Sequence, residues 1–254
     1  MLNAYSKQGV PGKYLYIIRC MSGQDFTFKQ FVVKQDKCAM KVGTDGVLLG
    51  AWAKGGCRIL DIGTGTGLIA LMMAQRFPAA HIVAVDIDAN AVEQAKQNVA
   101  SSPFADRIDV FQQQIQQFES DYRFDSIVSN PPFFVNSLKA PDAIRSMARH
   151  TDTLSFKDLF AAVNRLLSDD GVFSAIVPTE CVQDFACQAY MSGMRQVSLV
   201  AVRTTPRKQV KRQLLAFCRS SNMLALERQD VCMMSADGNK SEWYANLTSD
   251  FYLR

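Results

Sequence analysis

The sequence has few of the residues from which metal sites and disulfide scaffolds are built. It contains two histidines and seven cysteines, and no two cysteines form a C-x-x-C pair. Zinc sites need such side chains in closely spaced groups, so we expect no metal. An odd number of cysteines, most of them inside apolar runs, is typical of reduced core residues and predicts a cytoplasmic protein.

Long apolar runs are also missing. No stretch reaches the roughly 18 residues of a membrane-spanning helix, which excludes a transmembrane protein. Near the N-terminus Lys7, Lys13 and Arg19 interrupt the apolar residues, so we expect no signal peptide. Basic residues exceed acidic residues only slightly, 28 against 24. This balance permits a polyanionic partner without requiring one.

From Cys57 onward, short runs rich in isoleucine and valine alternate with stretches of helical periodicity. Five runs have the pattern of strands buried on both faces of a parallel sheet: 57–62, 81–86, 107–111, 124–129 and 171–177. Helices are predicted over 68–76, 89–100 and 156–167. The predicted fold class is therefore α/β, with a doubly wound sheet and right-handed crossovers.

The two ends of the chain depart from this alternation. Three further strands without a full helix between them are predicted at 195–203, 211–219 and 222–234. They favour an antiparallel edge on an otherwise parallel sheet, and a short helix is predicted over 241–252. Residues 1–24 show no periodicity. We expect them to be a mobile appendage to a single domain of residues 25–254, so that removal of the first 20 has no effect on stability.

A glycine-rich loop, Asp61-Ile-Gly-Thr-Gly-Thr-Gly67, follows the first of these strands. Glycines let the backbone turn sharply and approach a ligand, because no Cβ is in the way. Asp86 ends the next strand, where a carboxylate can accept hydrogen bonds from both hydroxyls of a ribose. The pattern predicts a nucleoside-binding site with five contributing residues: Asp61, Gly63, Gly65, Gly67 and Asp86.

Two cofactors compete for this site. The segment 65–70 satisfies G-x-G-x-x-G/A, the pattern of dinucleotide-binding proteins, but its first glycine lies three residues beyond Ile62 rather than directly at the strand end. When the loop is read from Asp61 as D-x-G-x-G-x-G, it resembles the S-adenosylmethionine loop of class I methyltransferases. We therefore favour S-adenosylmethionine, with a nicotinamide-dependent oxidoreductase as the alternative.

Asn130-Pro-Pro-Phe133 follows the fourth strand. Two consecutive prolines fix φ and remove two backbone donors, which leaves a stiff turn that presents carbonyl oxygens. The side-chain carbonyl of Asn130 and the main-chain carbonyl of Pro131 can both accept hydrogen bonds from one planar NH₂ group, and a base can stack on Phe133. Two acceptors favour positive charge on the nitrogen as it receives a methyl group. We predict Asn130, Pro131, Pro132 and Phe133 as the catalytic group for methylation of an exocyclic amine.

Together these motifs resemble the amino-methylating class I enzymes, which act on DNA, RNA or protein glutamine. Three segments are similar, more narrowly, to the bacterial tRNA adenine-N6 methyltransferases: Phe26-Thr-Phe-Lys-Gln-Phe31, Cys38-Ala-Met-Lys-Val-Gly-Thr-Asp-Gly46 and Leu48-Leu-Gly-Ala-Trp52. The similarity covers nearly the whole chain after residue 24. The resemblance implies a mostly parallel, seven-stranded sheet, S-adenosylmethionine as cofactor, and adenosine 37, beside the anticodon of a valine tRNA, as substrate.

One position departs from the family pattern. The related enzymes often carry an aspartate after the third strand, which accepts a hydrogen bond from the adenine amine of the cofactor. This chain has Gln114 there, within Gln112-Gln-Gln-Ile115. A glutamine carbonyl can accept the same bond, so we expect Gln114 to bind the cofactor, with Gln112 and Gln113 as alternatives.

Two groups of basic residues could bind the phosphates of an RNA. The first group precedes the sheet and consists of Lys29, Lys34, Lys37 and Lys41. The second lies between two late strands and consists of Arg203, Arg207, Lys208, Lys211 and Arg212. From these we predict five RNA-binding residues: Lys41, Arg207, Lys208, Lys211 and Arg212. Phosphate contacts would supply affinity that weakens with salt; a solvated surface is the alternative for each group.

The predicted function is N6 methylation of an adenine in tRNA by a monomeric, cytoplasmic enzyme. Guanine-N2 methylation of ribosomal RNA is an alternative, because N-P-P-F also occurs in those enzymes, and methylation of a release-factor glutamine comes next. An alternative of another class is a non-catalytic RNA-binding module that keeps the fold. The intact glycine loop, Asp86 and N-P-P-F tetrapeptide argue against that module.

Overall fold

The computed structural model describes residues 25–38, 41–132 and 154–253. Phe133 and the segment 1–24, for which the sequence makes specific predictions, lie outside these ranges. Ten strands occur in the described part of the chain: β1 (Phe26–Thr27), β2 (Val32–Val33), β3 (Arg58–Ile62), β4 (His81–Asp86), β5 (Ile108–Gln112), β6 (Phe124–Ser129), β7 (Leu167–Pro178), β8 (Met194–Arg203), β9 (Arg212–Arg219) and β10 (Glu227–Cys232).

Eight of these strands form the central sheet, in the order β10-β8-β9-β7-β6-β3-β4-β5. All neighbours are parallel except the two pairs that involve β9, which runs antiparallel between β7 and β8. The mostly parallel sheet with antiparallel pairing toward one side is confirmed. Its strands number eight rather than seven, because β10 adds a parallel strand beyond β8. Strands β1 and β2 form a separate antiparallel pair.

The helices of the described residues are α1 (Thr44–Trp52), α2 (Leu68–Arg76), α3 (Ala89–Ala100), α4 (Phe156–Leu166), α5 (Val182–Met191) and α6 (Glu242–Thr248). Of these, α2 and α3 have the predicted bounds, α4 ends one residue early, and α6 is shorter than predicted. The sequence analysis missed α1 and α5. Side-chain caps begin several helices; Ser155, for example, accepts a hydrogen bond from the backbone N–H of Asp158 at 3.1 Å.

The inner strands β3, β4 and β6 are buried on both faces because a core lies on each side of the sheet. Ile59, Ile82 and Ala84 pack into one core with α1 and α2. Leu60 and Val83, which alternate with them along the strands, pack into the other core with α4 and α5. This arrangement confirms the doubly wound α/β architecture. In β5, the last strand of the sheet order, Asp109, Phe111 and Gln112 are exposed, so the prediction of burial on both faces is wrong for that strand.

The strand directions bring the glycine loop, the described start of the N-P-P-F segment and the basic β8–β9 turn to one edge of the sheet. Strands β3, β4, β5, β6 and β7 are parallel, so their C-terminal ends lie at the same edge, which we call the carboxyl edge. Because β9 reverses direction, β8 is again parallel to β7 and also ends there. The loops after β3, β4, β5 and β6 therefore share this edge with the β8–β9 turn.

Candidate active site

The glycine loop between β3 and α2 has a backbone that other residues adopt only with strain. Gly63, Gly65 and Gly67 have φ values of 71°, 55° and 80°, in the left-handed region where a Cβ is unfavourable. A Cβ on Gly67 would also lie 3.3 Å from the Cβ of Ala95 in α3, whereas one on Gly63 would meet no atom of the described residues within 4 Å. The loop is thus packed against α3 on one side and open on the other.

Asp61 lies behind this loop, within β3, and its side chain is fully buried. Oδ2 accepts hydrogen bonds from Thr64 Oγ1 at 2.7 Å and from the N–H of Ala70 at 3.2 Å. Burial raises the pKa of Asp61 to about 7. Oδ1 is buried with no hydrogen-bond partner among the described residues. This oxygen can accept a hydrogen bond from a ligand, which would offset the cost of burying it.

Asp86 connects the glycine loop to the end of β4. Its Oδ2 accepts a hydrogen bond from Gly65 N at 2.8 Å, and its Oδ1 accepts one from Asp88 N at 3.0 Å. Burial also raises the pKa of this carboxyl. The sequence predicted that this carboxylate accepts hydrogen bonds from both hydroxyls of a ribose. Each carboxylate oxygen already accepts a backbone N–H, so Asp86 also holds the loop, and each oxygen retains one further lone-pair site.

A cavity of about 590 Å³ opens at the carboxyl edge beside the loop, within the volume range of small-molecule sites. Six predicted residues line it: Gly63, Gly65, Asp86, Gln114, Asn130 and Pro132. Asp61 and Gly67 are not in its wall and support the loop from behind. The structure therefore brings most of the predicted cofactor residues and part of the N-P-P-F segment into one space.

The glutamine segment after β5 turns beside this cavity. Gln112 is the last residue of β5 and does not line the cavity, whereas Gln113 and Gln114 do. The side-chain NH₂ of Gln113 donates to the carbonyl of Gln117 at 3.1 Å, and its side chain is exposed, whereas Gln114 is half-buried. Gln114 is thus the glutamine whose environment best fits the predicted contact.

The end of β6 is fixed next to the end of β3. Ser129 Oγ donates to the carbonyl oxygen of Ile62 at 2.9 Å, and this bond is buried. Asn130 and Pro132 then enter the cavity wall, while Pro131 is buried. Because Ile62 precedes Gly63, this bond sets the position of the N-P-P turn relative to the glycine loop.

Several lining residues were not predicted from the sequence. Cys38, Ile87 and Leu154 contribute to the wall, and Ile87 is 41% exposed although it is apolar. The sequence did offer a signal for Ile87, namely an apolar residue directly after Asp86 at the end of a strand. Ligand pockets are lined mainly by apolar side chains. Leu154 lies far from the motifs in sequence, and no local pattern distinguishes it. Cys38 begins one of the three segments that resemble the family, but nothing in that segment assigns it to the cavity.

The basic residues fall into paired and exposed groups. Arg207, Lys208 and Lys211 are exposed in the β8–β9 turn at the carboxyl edge, and Lys41 is exposed just before α1. Arg212 has a different environment: its Nε lies 2.6 Å from Oδ2 of Asp45 at the start of α1. In the first group Lys37 pairs with Glu93 at 2.5 Å. The paired side chains have a structural partner that the sequence analysis did not foresee.

The described residues include no group of three or more histidine, cysteine or acidic side chains arranged to hold a metal ion. Nor does any helix in this part of the chain have the length and apolarity needed to span a membrane.

Comparisons with known proteins first define the class. A family model described as the methyltransferase small domain matches residues 42–173. This range contains the glycine loop, Asp86, the glutamine segment and the N-P-P-F tetrapeptide. Together with the sheet topology, the match defines a methyltransferase of class I.

Curated relatives align with nearly the whole chain. A tRNA1(Val) (adenine(37)-N6)-methyltransferase from Phocaeicola vulgatus is 51% identical over 90% of this chain and 97% of its own length. Proteins of the same name from Bacteroides thetaiotaomicron and Aeromonas hydrophila are 48% and 46% identical, over 92% and 90% of this chain and 99% and 97% of their own lengths. The chain therefore belongs to the tRNA1(Val) (adenine(37)-N6)-methyltransferase family, which confirms the resemblance noted in the sequence.

Solved structures support the fold. The crystal structure of a predicted O-methyltransferase from Agrobacterium tumefaciens has a TM-score of 0.65 at 17% identity and covers 82% of this chain and 96% of that chain. A glycopeptide N-methyltransferase complexed with S-adenosyl-L-methionine has a TM-score of 0.52 at 12% identity, over 69% of this chain and 94% of that one. At these identities the likeness establishes the class I fold alone.

Proposed function

We propose that this protein transfers a methyl group from S-adenosylmethionine to the N6 amine of adenosine 37 in a valine tRNA. The observation that carries the proposal is the shared cavity at the carboxyl edge, which the glycine loop and the N-P-P turn line together. A cofactor site and an amine-binding turn in one space are what amine methylation needs. The names of the relatives supply the particular amine and the particular tRNA.

The residues around the cavity fit this cofactor. The outer side of Gly63 is open, so a ligand can approach the backbone there. Asp61 is not in the cavity wall, so its buried Oδ1 would accept a hydrogen bond from the ammonium group of the cofactor through a water. Asp86 retains acceptor sites for the ribose hydroxyls, and the Gln114 carbonyl can accept a bond from the adenine amine. When bound, S-adenosylmethionine supplies an electrophilic methyl group on its sulfonium.

Asn130 and Pro131 carry the proposed catalytic role. The nitrogen of an exocyclic amine is a poor nucleophile, because its lone pair is delocalised into the ring. The Asn130 side-chain carbonyl and the Pro131 backbone carbonyl would accept its two N–H groups, orient the amine and stabilise positive charge on nitrogen. No general base is required, since the proton can leave after the transfer. Pro132 keeps the turn stiff, and Phe133 is proposed to stack on the base.

The exposed basic residues are the proposed tRNA-binding surface. Arg207, Lys208, Lys211 and Lys41 lie at or near the edge of the sheet that carries the cavity. Their charges can contact phosphates while the adenine reaches the N-P-P turn as an unstacked base. Arg212 is proposed to act with them, although its pairing with Asp45 also holds α1 against this turn. We propose further that the enzyme acts as a monomer in the cytoplasm.

Methylation of defined RNAs tests the proposal. The purified protein is incubated with labelled S-adenosylmethionine and an unmodified valine tRNA transcript, and the product nucleoside and its position are identified by mass spectrometry. We expect N6-methyladenosine at position 37. The matched control is the same transcript with guanosine at position 37, which should stay unmodified. Label in ribosomal RNA or in a release factor, with none in the tRNA, would contradict the proposal.

A further inference from the structure

Two amide side chains lie fully buried in α3. Gln94 and Asn98 are one helical turn apart and are 0% and 1% exposed. Their neighbours on the buried side of this helix, Ala91, Ala95 and Val99, are apolar. A buried amide costs free energy unless it is hydrogen-bonded. The partners of these two side chains therefore indicate what their burial achieves.

Asn98 joins the segment before α1 to the glycine loop. Its Oδ1 accepts a hydrogen bond from Lys34 N at 2.9 Å, and its Nδ2 donates to the carbonyl of the same residue at 2.9 Å. Nδ2 also donates to the carbonyl of Thr66 at 2.8 Å. A single side chain thus holds Lys34 at two points and contacts the loop between Gly65 and Gly67.

Gln94 holds the same segment one turn earlier in the helix. Its Oε1 accepts a hydrogen bond from Lys37 N at 2.9 Å. Nε2 of Gln94 is buried with no hydrogen-bond partner among the described residues, so the Oε1 contact is the bond that this side chain contributes. The two amides fix the backbone of residues 34–38, which we call the anchored segment.

The anchored segment ends in the wall of the cofactor cavity. Cys38 lines the cavity, and its Sγ lies 3.8 Å from the position that a Cβ on Gly65 would occupy. Cys38 follows Lys37 directly. The hydrogen bond that Lys37 N donates to Gln94 Oε1 therefore fixes the position of this part of the cavity wall. Gln94 and Asn98 are not in the wall and would not touch a bound cofactor.

We propose that Gln94 and Asn98 are positioning residues that set the affinity for the cofactor through the anchored segment. They hold this segment against the glycine loop, so the cavity has its binding shape before the cofactor arrives. Pre-organisation of this kind strengthens binding because less ordering is required when the ligand binds. The inference rests on the proposed function only in assigning the cavity to S-adenosylmethionine; it does not depend on the RNA substrate.

If Gln94 and Asn98 had a purely structural role, their substitution would lower the free energy of unfolding without a selective effect on cofactor binding. A positioning role predicts a weaker affinity for the cofactor and a higher KM for it. It also predicts little change in kcat at saturating cofactor or in the KM for tRNA. The Asn130 region is untouched by either side chain, so the chemical step should remain intact.

The test compares two near-isosteric substitutions of Gln94. Gln94→Met keeps the volume but removes the acceptor for Lys37 N, whereas Gln94→Glu keeps an acceptor oxygen at that position. Val163→Ala, a buried position in α4 on the opposite face of the sheet, is the control for a general loss of stability. The full-length proteins are titrated with S-adenosylhomocysteine by calorimetry, and unfolding is followed in parallel.

We expect the dissociation constant for S-adenosylhomocysteine to rise about tenfold in Gln94→Met, the equivalent of about 1.4 kcal/mol. It should stay near the wild-type value in Gln94→Glu and Val163→Ala. Equal affinity in Gln94→Met and the wild type would overturn the inference, and so would an equal loss in Val163→Ala. A wild-type protein that binds S-adenosylhomocysteine but does not methylate tRNA would contradict the proposed function alone. Failure of the wild type to bind S-adenosylhomocysteine would overturn both.

Discussion

The two halves of the sheet present different kinds of residues at the carboxyl edge. Beside β3, β4 and β5 the cavity is lined by the glycine loop and by acceptors such as Asp86, and the buried carboxyl of Asp61 lies behind the loop. On the other half, the β8–β9 turn presents exposed side chains such as Arg207 and Lys208. Asn130, at the end of β6, lies between the two halves.

The difference indicates how each half would recognise its ligand. A small cofactor can be held by a few atoms in fixed positions, and a single displaced backbone segment changes the cavity. A tRNA extends over a large surface, and its phosphates are bound by charge, so geometry matters less and ionic strength matters more. Substitutions in the two halves should therefore have separable effects on the two ligands.

Charge reversal in the β8–β9 turn should have the largest effect. Replacing Arg207, Lys208 and Lys211 by glutamate would remove up to three phosphate contacts. We expect the affinity for tRNA to fall about a hundredfold near 0.15 M salt, and the slope of its logarithm against log salt to flatten by about two. Binding of S-adenosylhomocysteine should be unchanged. Filter binding over a salt series measures this, and an unaltered slope would show that tRNA docks elsewhere.

Asn130→Ala tests whether Asn130, between the two halves of the sheet, acts on the substrate and not on the cofactor. Loss of one acceptor for the amine should lower kcat at least tenfold, or about 1.4 kcal/mol of transition-state stabilisation. The affinity for the cofactor should hardly change, because the proposed contact is made to the substrate. Single-turnover methylation of tRNA, with calorimetry for S-adenosylhomocysteine, separates the two quantities. Undiminished turnover would refute the role assigned to the N-P-P turn.

The pH dependence of cofactor binding tests the role of Asp61, the buried carboxyl behind the glycine loop. Burial raises the pKa of Asp61 to about 7, and an ammonium group binds only its ionised form well. Affinity should level off about one pH unit above this pKa and fall below it, by about fivefold between pH 7 and pH 6 and by about tenfold per unit at lower pH. Calorimetric titration with S-adenosylhomocysteine from pH 5.5 to 8.5 measures the profile. Asp61→Asn should bind more weakly and without this pH dependence; an unchanged profile in this variant would assign the titration to another group.

The smallest expected effect is the difference between two glycine variants, about 1 kcal/mol in the free energy of unfolding. Gly67→Ala introduces a Cβ at φ 80° and 3.3 Å from the Cβ of Ala95, so we expect it to lower the free energy of unfolding by about 2 kcal/mol. Gly238→Ala has the same kind of backbone, with φ 85°, but its Cβ meets no atom within 4 Å in the part of the chain that the structure describes. It should cost about 1 kcal/mol from strain alone. Urea unfolding of both variants would show whether the contact with α3 adds to the strain.

Much of the fold could be predicted because its signals are local. β4, β6 and α3 have the predicted bounds, since each is a run of one periodicity between turn residues. α2 also has the predicted bounds, although residues 68–74 are all buried, because its apolar run directly follows the glycine loop. α1 was missed because residues 46–51 are all buried, so the segment has no polar face and no helical period. α5 was missed for the opposite reason, since Phe185 and Ala189 are the buried residues of its ten positions.

The candidate site was predictable where function depends on backbone conformation. Glycine and proline each restrict or permit particular backbone conformations, so their positions in the sequence indicate where such conformations occur. The glycine loop and the N-P-P turn lie at the predicted edge. Long-range pairing was not predictable. Lys37 pairs with Glu93, and Arg212 pairs with Asp45, because the chain folds distant segments together, and nothing beside these residues in the sequence reveals it. The same holds for the buried amides of α3.

The reversed strand β9 has a consequence for how this enzyme could be altered. Strand β9 lies between β7 and β8, two strands of the same direction, so the tip of the β8–β9 hairpin lies at the edge where the reaction is proposed to occur. The tip of that hairpin can change in length or composition while the strands keep their register and the cofactor loops keep their places. Replacing the turn between residues 204 and 211 is therefore a way to change which RNA the enzyme binds. The cofactor site, and with it the methyl-transfer chemistry, would stay unchanged.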